Sequence, residues 1–114
     1  ARAVYQGKVT VAKGADGSDS NQSAKALLLS ENAEADLKPE LEIFADDVVC
    51  GHGSTVGALD ADSLFYLMSR GIPKAQAESM LVRGFLEEVL DPIADEGVRA
   101  ALGTVVDGWL TGKA

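Results

Sequence analysis

The hydrophobic period of this 114-residue chain changes once, and that change limits the fold more than any other feature. Up to about Thr55 the apolar residues come in short runs rich in β-branched side chains, set between clusters of Gly, Asp, Asn and Ser. That is the pattern of short strands. From Leu59 onward apolar residues recur every three or four positions, the period of amphipathic helices. The expected class is therefore mixed, β then α, with segments 1–58 and 59–114.

Within the first segment a strand is expected over Ala3 to Ala12, interrupted at Gly7 by a turn or bulge. Gly14 to Ser23 reads as a polar loop. Further strands are expected at Ala26 to Leu29, Leu41 to Ala45 and Val48 to Cys50. The connections are too unequal for a plain series of two-residue hairpins. They suit a stack of coils whose loops leave at the corners, although half of a β-sandwich or a small mixed sheet gives much the same pattern.

The second segment has stronger punctuation. Asp60 is placed to cap a helix carrying Leu64, Leu67 and Met68, which should end at Gly71. Pro73 opens a second helix with Ala77, Met80, Leu81, Gly84, Phe85 and Glu88 at spacings of three and four, ending near Leu90. Asp91 and Pro92 repeat the cap-then-proline start before a third stripe of Val98, Ala101, Leu102, Val105, Val106 and Trp109. Each stripe reads as core.

The formal net charge of -8, with Asp and Glu scattered evenly, excludes nucleic acid and anionic membrane surfaces as natural partners. Only Arg2, Lys8 and Lys13 form a locally basic stretch. The apolar runs are far shorter than the roughly 20 residues of a bilayer span. The opening residues lack a charged start, apolar run and cleavage site, so no signal peptide is expected. A single cysteine forms no internal disulfide, which fits a reducing cytoplasm.

Chemistry is confined to one short stretch. If the backbone is extended, Asp46, Val48, Cys50 and His52 share a face, with alternate residues roughly 6 to 7 Å apart. A thiolate and an imidazole at that spacing can lean toward one iron or sulfur atom. They do not close a site, because a structural zinc takes four ligands and the chain has no other Cys or His. A thiol enzyme with Cys50 as nucleophile and His52 as base is disfavoured, since such pairs normally come from distant segments and are oriented by a third group. The plainest alternative makes His52 a hydrogen-bonded residue at a strand end and Cys50 a small packed side chain. Asp16 and Asp19 lack the spacing of a calcium loop, and the glycines at 51, 53 and 57 lack the Lys-Ser or Lys-Thr of an ATP loop.

Two stretches resemble a known family. Leu41-Glu42-Ile43-Phe44-Ala45-Asp46-Asp47-Val48-Val49-Cys50-Gly51-His52-Gly53 resembles the SufD segment that carries a Cys-x-His-Gly element. Leu64-Phe65-Tyr66-Leu67-Met68-Ser69-Arg70-Gly71-Ile72 is similar to the helical signature shared by SufB and SufD, and Gly7-Lys8-Val9 and Leu27-Leu28-Leu29-Ser30 look like the family's final coils. The resemblance covers nearly the whole chain. The glycines flanking His52, where the paralogue looks to have acidic residues, favour the SufD branch; a SufB-like paralogue is the alternative.

The resemblance implies the last coils of a parallel β-helix over 1–58 and a carboxy-terminal three-helix subdomain over 59–114. It implies a non-catalytic, cytoplasmic scaffold of the SUF iron-sulfur cluster assembly complex, paired with SufB and docking the SufC ATPase. His52, with Cys50 beside it, is then the cluster-assembly site, and Glu87, Glu88, Asp91, Asp95 and Glu96 are the expected SufC-facing acids. A cluster would form transiently on the full complex, and the chain alone should hold no metal. Open strand edges should make it self-associate.

Overall fold

A computed structural model describes residues 1–112. It comprises two compact units, Ala1–Ala58 and a second that begins at Leu59.

The first unit has four ten-residue strands, β1 (Arg2–Val11), β2 (Asp19–Leu28), β3 (Glu34–Ile43) and β4 (Val49–Ala58). They form two parallel pairs, β1 with β3 and β2 with β4. Registers run unbroken, from Arg2 opposite Glu34 to Val11 opposite Ile43, and from Asp19 opposite Val49 to Leu28 opposite Ala58. The chain thus lays one strand in each pair, then returns about thirty residues later to lay the next. A parallel neighbour needs a crossover; here the crossover is a strand of the other pair. Contacts of β3 with β2 and β4 join the two layers.

Alternation decides which face is which. On β1 and β3 the even-numbered residues face out and carry ion pairs, Arg2 with Asp36, Lys8 with Glu42 at 2.8 Å and Lys38 with Glu40 at 3.3 Å. The Glu42 carboxylate, hydrogen-bonded to the Lys8 ammonium, raises the lysine's pKa above its ordinary value. Odd residues turn inward and end in Val11, only 5% exposed. On β2 the inward residues are the even ones, Ser20, Gln22 and the buried Ala24.

The strands are longer than their apolar runs. Asp19 to Ser23, expected as loop, begin β2, because β4 supplies a backbone hydrogen-bond ladder that needs no apolar side chains. Glu34 to Glu40 belong to β3 despite their charges and Pro39; the proline is tolerated where a strand has a neighbour on one side. β4 continues through its glycines to Ala58. Gly7 is no turn either. It stays in the ladder opposite Pro39, and its missing side chain leaves room for Tyr5 and Gln22.

The second unit has α1 (Ala61–Ser69), α2 (Lys74–Leu90) and α3 (Glu96–Leu110). The carboxylate of Asp60 accepts from the Ser63 N–H at 2.9 Å and opens α1. Gly71 at φ 87° ends it, a left-handed conformation that costs glycine least. The third helix starts later than expected. The Asp91 N–H still bonds to the Glu87 carbonyl at 2.9 Å, closing α2, and Asp95 becomes the cap by accepting from the Val98 N–H at 2.9 Å.

Helix α2 packs against both α1 and α3. Ala77 is fully buried and Val82 is 8% exposed. Arg83 of α2 pairs with Glu87 at 2.8 Å and reaches Asp107 of α3 at 3.0 Å; those carboxylates raise the guanidinium pKa, the hydrogen bond to Glu87 contributing most. The expectation that every apolar stripe is core fails most on α3, where Val98, Leu102, Val105 and Trp109 are exposed, and also at Met68 of α1 and Met80 of α2. Three short helices lack the surface to cover all their apolar faces. No described helix is long and apolar enough to cross a membrane.

Candidate functional site

The β4 sequence, Val49-Cys50-Gly51-His52-Gly53-Ser54-Thr55-Val56-Gly57-Ala58, is a poor strand by propensity, since glycine weakens a strand interior. Its ladder with β2 holds it extended. Ladder bonds at both ends fix the entry: Phe44 N–H donates to the Val11 carbonyl at 2.8 Å and Val49 N–H to the Ser18 carbonyl at 2.9 Å.

The register sets Cys50 opposite Ser20 and His52 opposite Gln22. Paired residues of a parallel ladder share a face, so Cys50 and His52 lie on the side occupied by Ser20, Gln22 and Ala24. Cys50 is half-buried and His52 exposed. On the opposite face Gly53 and Gly57 have nothing within 4 Å of where a Cβ would stand, and Gly51 meets only the Asn21 side chain at 3.9 Å. β4 has a single neighbour among the described residues, leaving its other edge without a strand.

Asp46 does not join this face, contrary to the expectation of a continuous strand. The backbone bends at 45–47, with Asp47 at φ 51°, because two loops are tied together there. The Asp46 N–H donates to the Asp16 carboxylate at 2.9 Å, and the Gly17 N–H to the Asp47 carbonyl at 2.8 Å.

Two polar residues that sequence reasoning missed stand beside the pair. The Gln22 Nε2 donates to the Tyr5 hydroxyl at 3.0 Å. A Cβ at Gly7 would overlap both that hydroxyl and that amide nitrogen. The polar composition of 14–23 places Gln22 in a loop; the signal that marks it as inward is the alternation Ser20, Gln22, Ala24.

In the helical unit the five acids divide by role. Glu87 is held by Arg83, and Asp95 is the α3 cap. Glu88, Asp91 and Glu96 are exposed at the end of α2 and the start of α3. A shallow depression of about 390 Å³ between α1 and α2 is lined by Asp62, Ser63, Tyr66, Leu67 and Leu81. No cluster of three or more metal-ligating side chains occurs among the described residues.

Residues 1–85 match the family model described as SUF system FeS cluster assembly, SufBD core domain. The chain belongs to the SufBD family. It is 44% identical over 98 residues to the iron-sulfur cluster assembly protein SufD of Escherichia coli, covering 86% of this chain and 23% of the relative. It is 40% identical over 107 residues to SufD of Bacillus subtilis, covering 94% and 24%. A SufBD family protein of Synechocystis is 44% identical over 93 residues, covering 82% and 20%. The chain therefore spans about a quarter or less of the length of these SufBD relatives.

Proposed function

We propose that this chain is part of a SufD-type scaffold, in which His52, with Cys50 beside it, helps form a cluster-assembly site completed by a partner chain. The observation that carries the reading is the position of the only thiol and only imidazole on one face of β4, beside a strand edge with no neighbour among the described residues. Imidazole and thiolate suit iron and sulfur, and two ligands leave most coordination positions to other chains. The cluster is cargo, assembled there and passed on. The scaffold itself is non-catalytic and cytoplasmic.

The thirty-residue return of the chain supports two rungs of a parallel β-helix, the end of a longer stack. Two rungs cover little of their own interior, which fits the exposure of Tyr5, Ile43 and Val56. SufB pairing through the β3 and β4 end follows from the same open edge, as does self-association of the chain alone.

The helical unit is the SufC-docking element in this reading. Its support is the exposed apolar surface of α3 together with Glu88, Asp91 and Glu96 at the α2–α3 corner. Reversing Asp91 and Glu96 leaves the Arg83 pairs and the Asp95 cap in place. SufC association should slow with salt, screened over about 10 Å at ~0.1 M, and that dependence should shrink in the double reversal. A rate indifferent to both would remove the acids from the interface.

The main test is iron and sulfide content of full complexes carrying single substitutions. His52→Ala should abolish cluster loading while complex formation persists. Cys50→Ala should be as severe if the thiol is a ligand and milder if it only packs. Full loading with His52→Ala would make the histidine structural.

A further inference from the structure

We infer that Gln22 is a positioning residue for His52, fixing the tautomer of the imidazole through its side-chain carbonyl oxygen. The inference deepens the assembly reading and rests on it for its biological meaning.

Gln22 is anchored at one end of its amide only. Nε2 donates to the Tyr5 hydroxyl at 3.0 Å, and Gly7 keeps the space for that bond clear. Oε1 is buried and takes no hydrogen bond among the described residues. Buried carbonyl oxygens are nearly always satisfied, so an orphan of this kind points to a donor within side-chain reach. On its face of the sheet the residue directly opposite is His52. Neighbouring strands run about 4.8 Å apart, so directly paired side chains stack within reach. Ser20 and Ala24 lie one two-residue step along the same strand, and Cys50 and Ser54 sit on the diagonals.

The chemistry is one-directional. A neutral imidazole has one N–H and one bare nitrogen, and an amide oxygen can only accept. The ring nitrogen facing Gln22 therefore carries the proton, and the other directs its lone pair away from Gln22, toward an arriving iron or proton. This is how a carbonyl neighbour fixes tautomer and ring orientation in metal-binding histidines. In this arrangement the Tyr5 hydroxyl accepts from Nε2, which leaves Oε1 as the end of the amide available to His52.

The test is nitrogen NMR on the chain with labelled histidine, whose single imidazole makes the assignment unambiguous. The measurement is made without iron or partners at about pH 8, where an ordinary imidazole is neutral. One tautomer should dominate in the unsubstituted chain. Gln22→Leu should lower the tautomer ratio about five-fold, the worth of one net hydrogen bond. Tyr5→Phe should lower it less, and Gln22→Glu, which keeps an acceptor, should retain the bias. An unchanged ratio in a folded Gln22→Leu chain overturns the inference. If that variant does not fold, an unchanged ratio in a folded Gln22→Ala chain does the same. In the full complex Gln22→Leu should slow cluster loading several-fold without abolishing it. A tautomer bias lost in Gln22→Leu alongside full loading in His52→Ala would sustain the positioning role and overturn the assembly reading instead.

Discussion

The two units reach order by different routes. In the helical unit each boundary has a cause within four residues: Asp60 caps α1, Gly71 ends it, and Asp95 caps α3. In the strand unit every ladder bond joins residues about thirty apart, and β4 has a sequence that would not choose a strand unaided. Local order is written in side chains that act on their own backbone. Long-range order depends on a partner segment, and the candidate site lies on the segment that depends on it most.

Substitutions can break or sharpen that contrast. The largest effect is expected at Ala77, fully buried where α2 meets its neighbours. Ala77→Leu overpacks that contact and should cost about 2–3 kcal/mol in denaturant unfolding. A loss under about 0.5 kcal/mol would mean the helices stand on local signals alone.

Gly7→Ala probes the strand unit. The added methyl displaces the Tyr5 ring and the Gln22 amide, which have flexible ends and can shift at the price of their bond. The expected loss is about 1–2 kcal/mol. It should extend to β4 as faster amide exchange near His52, since β2 and β4 share a ladder. Exchange confined to β1 would show that the two pairs are not coupled.

The smallest effect lies at the caps. Asp60→Ala should cost about 1 kcal/mol, read as lost helical far-ultraviolet signal and a lower midpoint, with strand amides unaffected. Ser63, through its hydroxyl first and its backbone N–H second, holds the Asp60 carboxyl below its usual range. A depressed carboxylate adds stability above the unfolded value of about 3.9 and loses it as pH falls from there through the folded value. Fraying of α1 should therefore begin only in strongly acid solution, and Asp60→Asn should remove the pH dependence while keeping most of the cap.

The helices were legible because their signals are local. Asp60, Gly71 and Leu90 mark ends that the structure keeps, and the error at the third helix was between two adjacent caps, Asp91 and Asp95, of which only the second reaches a free N–H. The Cys50 and His52 pairing on one face was equally readable, because strand alternation needs no partner. The Asp46 bend was not, since it follows from a hydrogen bond to Asp16, thirty residues earlier.

What the sequence determined by itself was therefore the order of strands and helices, the capped helix starts and the neighbourhood of Cys50 and His52. Register belongs to the tertiary structure alone: that Gln22 stands opposite His52, that Tyr5 reaches Gln22 over Gly7, and that charged Glu34 to Glu40 form a strand. The reason is physical. A cap is a bond between near neighbours, whereas a ladder lets any extended segment join once a partner offers its backbone, and side chains thirty residues apart become neighbours only after it has done so.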